Sequence, residues 1–249
     1  MEQTRIAIAF TLGNCSRATK KRVLSLTSNH PLTDAFRHKI INPKFPCLGA
    51  KSALTRKRMD IHVACDITSG QNDAALYSKL ALFTKRYRNN PKPFQTFVII
   101  FEGPRTLCEK AFEQALWNRI QSLSNGDASA GHPRDPSVSA DPSNSHFSLS
   151  FGGEAFFAVG LHPRSSRPAR RFATPVIVFN LHAQFQQLRH LGQYEKLRSA
   201  ILSRDLLFSG SENPMLSRHG EKSEARQYSG RRVAEDWVCP YRSRRKASS

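Results

Sequence analysis

The stretch FSLSFGGEAFFAVGL, residues 147–161, decides the fold. Phe147, Leu149 and Phe151 alternate with serines, the period of a strand with one apolar face. Gly152 and Gly153 follow, two residues free to take positive φ, and then Phe156, Phe157 and Val159 resume an apolar run. Two β-rich runs joined by a pair of glycines read as a hairpin, so antiparallel pairing is expected at this point.

Working outward, residues 94–101 (FQTFVIIF) and 175–179 (PVIVF) are rich in β-branched and aromatic residues and read as buried strands. Phe112, Leu116, Trp117 and Ile120 recur at helical spacing and predict an amphipathic helix over 107–123. Leu76, Leu80 and Phe83 predict another over 73–87, broken by the turn residues of 89–93. Asp34 is the expected cap of a helix ending at Ile41, and a second short helix is expected near Ala50–Leu54. Asn180 is the expected cap of a helix carrying Phe185 and Leu188, with one more helix over 194–207. Residues 124–145, with Pro133, Pro136 and Pro142, read as a connection too long to be ordinary, a cover for a site. Strands and helices do not alternate strictly. The expected class is α+β: a mostly antiparallel, Phe-rich sheet packed with helices in a single domain. That domain is expected over residues 31–241, between a loose basic extension (1–30) and a basic tail (242–249).

The formal charge of +19 raises the question of nucleic acid. Residues 1–58 hold twelve Lys/Arg against Glu2 and Asp34, and residues 231–249 hold six against Glu235 and Asp236. Most of the excess therefore belongs to the ends, where solvated charge is the ordinary outcome. A basic, non-enzymatic nucleic-acid binder is the alternative reading. The absence of a recognition motif or an aromatic–basic stripe argues against it. Only the run Arg164, Arg167, Arg170, Arg171 sits inside the domain and asks for a separate explanation.

The five cysteines are widely spaced, odd in number and form no C-x-x-C pair, which argues against a disulfide framework or a zinc ribbon and suggests a cytoplasmic protein. No apolar run approaches a membrane span, and no targeting signal is read in the first residues, so no membrane partner is expected. Gly49-Ala50-Lys51-Ser52 lacks the adjacent Gly-Lys and the upstream glycine of a phosphate loop. Gly152-Gly153 opens no helix and is no dinucleotide fingerprint. There is no H-x-x-x-H pair and no G-x-S-x-G elbow.

Four stretches stand out in order: FPCLGAKSAL (45–54), GGEAFFAVGLHP (152–163) running on to SRPARRF (166–172), VFNLHAQF (178–185), and NPML (213–216) leading to SEARQYSGR (223–231) and WVCPY (237–241). Together they resemble the YqcI/YcgG family over about residues 31–241. The resemblance implies a haem b enzyme that hydroxylates a nitrogen of a small amine or guanidine compound, of the pre-guanitoxin N-hydroxylase type. Iron needs an axial donor and the propionates need cations. Under that resemblance His162, between an apolar strand and a basic loop, is the first candidate for the iron. His182 is its rival and His146 stands third. Arg167, Arg170 and Arg171 are candidates for the propionates. Cys47 and Cys239 are weighed as thiolate donors against their ordinary role as core residues. For a cationic substrate, Glu154 and Glu224 are the candidate carboxylates, each weighed against pairing with a nearby Arg. Lys51 and Ser52 would meet a substrate carboxylate or else only begin a helix. An electron donor, or peroxide, is the implied co-reactant.

Overall fold

The computed structural model describes residues 30–217 and 220–244. The expected N-terminal extension thus lies outside the described residues except for His30. The chain runs through α1 (Pro31–Ile41), α2 (Leu48–Thr55), β1 (Met59–Asp66), α3 (Asp73–Asn89), β2 (Thr96–Gly103), α4 (Glu109–Ser129), β3 (Leu149–Phe151) and β4 (Glu154–Leu161). A 3-10 turn (Pro168–Arg170), β5 (Val176–Leu181), α5 (His182–His190), α6 (Tyr194–Ser209) and α7 (Ala225–Tyr228) follow.

The five strands form one sheet in the order β1-β2-β5-β4-β3. Three pairings are antiparallel, and only β1–β2 is parallel, with α3 as its crossover. The fold class is the α+β expected. The hairpin is present too: Gly152 and Gly153 take φ of +57° and +85°, where a side chain would be strained. Strand β1 is the element the pattern did not reveal. Its sequence, MDIHVACD, mixes charged residues into an edge strand, and seven of its eight residues are only partly buried.

Both faces of the sheet are covered, which explains why β2 reads as a continuous apolar run. Phe97, Ile99, Phe101, Ile177, Phe179 and Phe156 pack with α3 and α4. Val98, Ile100, Val176 and Leu161 pack with Phe36 and Ile40 of α1. Each fully buried side chain of this size contributes ~1.5–3 kcal/mol, so these two layers hold the sheet in place. At Gly160 the approach of α4 is close. A Cβ there would lie 2.7 Å from both Leu116 and Phe112.

Several expected boundaries move, each for a tertiary reason. Helix α4 continues to Ser129, through residues read as turn-rich, because Asp127 is buried and accepts from the Tyr77 hydroxyl and the Gly152 N–H. Asn180 stays in β5, and α5 begins only at His182. Helix α1 is capped by His30, whose Nδ1 accepts from the Leu32 N–H, and Asp34 lies in its first turn instead. Among the described residues no helix is long and apolar enough to cross a membrane.

Strand β3 covers only the first residues of β4, pairing with Glu154, Ala155 and Phe156. Farther along the β4 edge, Arg170 donates to the Gly160 carbonyl and to the Gln227 and Tyr228 carbonyls of the segment around α7, which ties that segment to the edge. That segment runs along the edge and creates a different environment at each end of β4.

Candidate functional site

At the far end of β4, His162 is 1% exposed and its ring stacks on Phe112, centroids 4.4 Å apart and planes 20° off parallel. Its Nδ1 is buried without a hydrogen-bond partner. Burial pushes its pKa down to about 4, with Arg170 adding to the effect and Glu109 opposing it, so the imidazole is neutral at pH 7. The neighbouring arginines are fully engaged. Arg167 donates to Asp205 (2.6 Å) and to the carbonyls of Ser211 and Glu212. Arg170 donates to the carbonyls of Gly160, Tyr228 and Gln227, at 3.0–3.1 Å. Arg171 donates to the carbonyls of Ser165 and Ser166. Burial lowers the Arg170 pKa to about 10, which leaves it charged at neutral pH.

At the near end, the first residue of α5 meets α7. His182 is 2% exposed, and its Nε2 lies 3.6 Å from Glu224 Oε1. Glu224 Oε2 accepts from the Ser148 hydroxyl at 3.1 Å and from the Tyr228 hydroxyl at 3.4 Å. Both hydroxyls also reach the Phe156 carbonyl, so each divides one proton between two acceptors. Burial, and then the charge of Glu224, hold the Tyr228 phenol well above its ordinary pKa. Aromatic rings enclose the cluster: Phe157 stands edge-on to Tyr228 at 5.2 Å, and Trp117 and Phe147 lie at 5.6 and 6.4 Å.

The sequence candidates therefore fall into two groups, His182 with Glu224 at one end and His162 with Arg167, Arg170 and Arg171 at the other, and the rest lie apart. His162 lies six residues beyond Phe156, ~20 Å along an extended strand. Glu154 sits at the hairpin, partly buried, near Tyr87, Arg88 and Asp135; burial and Asp135 raise its pKa and Arg88 opposes them. His146 is exposed on the loop before β3, beside Ser145. Cys47 caps α2 through its sulfur, and burial raises its thiol pKa. Burial pushes Cys239 up to about 12, so neither thiol is ionised at neutral pH. Lys51 ties α2 to the carbonyls of Asn42 and Pro43, and Ser52 lies within that helix.

One organising residue was missed. Glu113, on the buried face of α4, accepts from the Ser229 hydroxyl (2.9 Å), from Arg231 Nε and Nη2 (3.0 and 2.8 Å) and from Trp237 Nε1 (3.2 Å). It fixes the segment after α7. A signal was available: Glu113 shares a helix face with Leu116, Trp117 and Ile120, where an unpaired carboxylate would be costly.

The YqcI/YcgG family model matches residues 36–242, most of the chain, and the chain belongs to that family. No curated protein and no solved structure matches it.

The haem that the resemblance implied can be tested against these two ends. At His162 the donor is neutral, but the three nearby arginines are committed to carbonyls and Asp205, which leaves none of them for the propionates. That end does not fit the group. At His182 the donor chemistry fits. A metal-binding histidine is ordinarily oriented by a carboxylate on its other nitrogen, and Glu224, itself held by two hydroxyls, lies 3.6 Å from Nε2, although both ring nitrogens are buried here as at the His162 end. The elements leading away from His182 are also lightly held. Helix α6 buries none of its residues, and α5 buries only His182, Gln184 and Leu188.

Proposed function

We propose that this chain is a haem-dependent N-oxygenase that hydroxylates a nitrogen of a small amine or guanidine compound, in which His182 would hold the iron. Membership of the YqcI/YcgG family supports the class of activity. The observation that carries the assignment to this site is the buried His182–Glu224 pair, with Ser148 and Tyr228 on the carboxylate. Bound haem, with an external electron donor or with peroxide, would supply the oxidising chemistry.

The chain's own contribution follows from its residues. Glu224, 3.6 Å from Nε2, would orient the ring of His182. Ser148 and Tyr228 hold Glu224 in place, so it acts as a positioning residue. Phe147, Phe157 and Trp117 keep the cluster dry, which strengthens each of these polar contacts. In this account Glu154 is the remaining candidate for the substrate cation.

The test is product analysis. Haem-loaded protein is incubated with a panel of amines and guanidines, with reductant and oxygen or with peroxide. The expected product has gained one oxygen atom on nitrogen. Protein that retains haem but oxidises no member of the panel under either condition contradicts the proposal. In the same preparation Glu224→Gln is expected to raise the reduction potential while leaving haem bound. An unchanged potential would remove Glu224 from its positioning role.

A further inference from the structure

On the outer side of α7 lies a groove that the His182 cluster does not line. Glu224 and Tyr228 face the buried cluster, whereas Ser223 and Arg226 line a cavity of about 730 Å³. A second cavity of about 180 Å³ adjoins it and shares Pro214, Met215 and Arg232 with it. Two cavities with three lining residues in common form one groove, with Arg232 at the junction.

The groove is built on a fixed frame. The wall that carries Arg232, Val233, Ala234 and Glu235 is held from beneath by Glu113, through Ser229, Arg231 and Trp237. Arg231 also donates to the Arg232 carbonyl, which pins the backbone at the junction. The other cations of the groove are engaged. Arg226 donates to the carbonyls of Ala234 and Glu235 and lies over the Trp237 ring, and Lys222 pairs with Glu235 at 3.2 Å. Arg167 is held by Asp205. Among the described residues the Arg232 guanidinium makes no hydrogen bond or ion pair. Pro214, Met215, Leu216 and Val233 provide an apolar floor beside it.

We infer that this groove is a binding site for a small organic oxyanion, a carboxylate or phosphate on a short apolar body, with its head on Arg232 and its body on the Met215–Val233 side. A guanidinium fork on a fixed backbone suits an oxyanion with two acceptor oxygens. The larger cavity lies within the usual size range for small-ligand sites. The inference stands independently of the oxygenase reading, because no residue of the His182 cluster lines the groove.

The test is a titration followed by amide NMR shifts, using hexanoate, butyl phosphate and the neutral hexanamide as probes. At least one anion is expected to perturb residues 215–217 and 232–235, and the tighter of the two identifies the head group. Arg232→Gln, at an exposed position, is expected to weaken that anion by about tenfold or more and to leave hexanamide unchanged. Arg232→Lys, which keeps the charge and loses the fork, should fall between. The inference is overturned if neither anion binds, if the shifts lie elsewhere, or if Arg232→Gln binds the anion as tightly as the wild type.

Discussion

The two ends of β4 solve opposite problems. At the His162 end, three guanidiniums meet seven backbone carbonyls and one carboxylate, and the result is a latch. At the His182 end, one carboxylate gathers two hydroxyls and lies beside an imidazole, and the result is a buried polar cluster. Arginine is suited to the first task because its five donors can cap several carbonyls where β3 no longer covers the edge. The difference teaches that a cluster of charge in sequence is a weak guide to a site. What its partners are decides whether it binds a ligand or closes the fold.

That comparison can be broken or sharpened by substitution, starting with the largest effect. Arg170→Met should cost about 3 kcal/mol or more in denaturant unfolding, because it strips donors from the buried carbonyls of Gly160, Tyr228 and Gln227. A loss below about 1 kcal/mol would show that the arginine does not latch the edge. Glu224→Leu leaves the hydroxyls of Ser148 and Tyr228 with one acceptor fewer in a dry cluster. It should cost about 2 kcal/mol, read in the same experiment, with Glu224→Gln milder.

Gly160→Ala forces a methyl group against Leu116 and Phe112 and should destabilise by about 1–2 kcal/mol. If it were neutral, the approach of α4 to the His162 end would be looser than described. The pH dependence of stability isolates His162. Its pKa is lowered on folding from 6.5 to about 4, so the unfolded chain binds the extra proton in that window. Stability at this residue is therefore complete above pH 6.5 and is lost as the pH falls toward 4. His162→Phe should flatten that part of the curve, and an unchanged acid slope would contradict the assignment. Arg171→Gln, at an exposed position, should change stability by less than about 1 kcal/mol, which separates the outer arginine from the inner two.

Much of this architecture was legible in the sequence. The Phe-rich hairpin, the apolar β2 run and the face of α4 follow from periodicity, because burial there repeats with the backbone. Strand β1 was not legible, since an edge strand need not alternate cleanly and MDIHVACD carries two aspartates and a histidine. The last turns of α4 were hidden because the contacts of Asp127 are long-range and leave no local trace. For the site, the motifs brought His182 and Glu224 into view as separate candidates. Their pairing depends on β5 and α7 meeting beside Phe156, which spacing alone does not encode. The partners of the arginines were hidden for a related reason: carbonyl acceptors belong to every residue and have no signature.

The most direct test of the central claim is the absorption spectrum of the purified protein expressed with ample haem. It should be recorded before and after dithionite and carbon monoxide, for the wild type, His182→Ala and His162→Ala. The account predicts a Soret band that shifts on reduction in the wild type, is kept by His162→Ala and is lost in His182→Ala. A wild type that stays colourless after haem is added, or haem lost from His162→Ala and kept by His182→Ala, would contradict it.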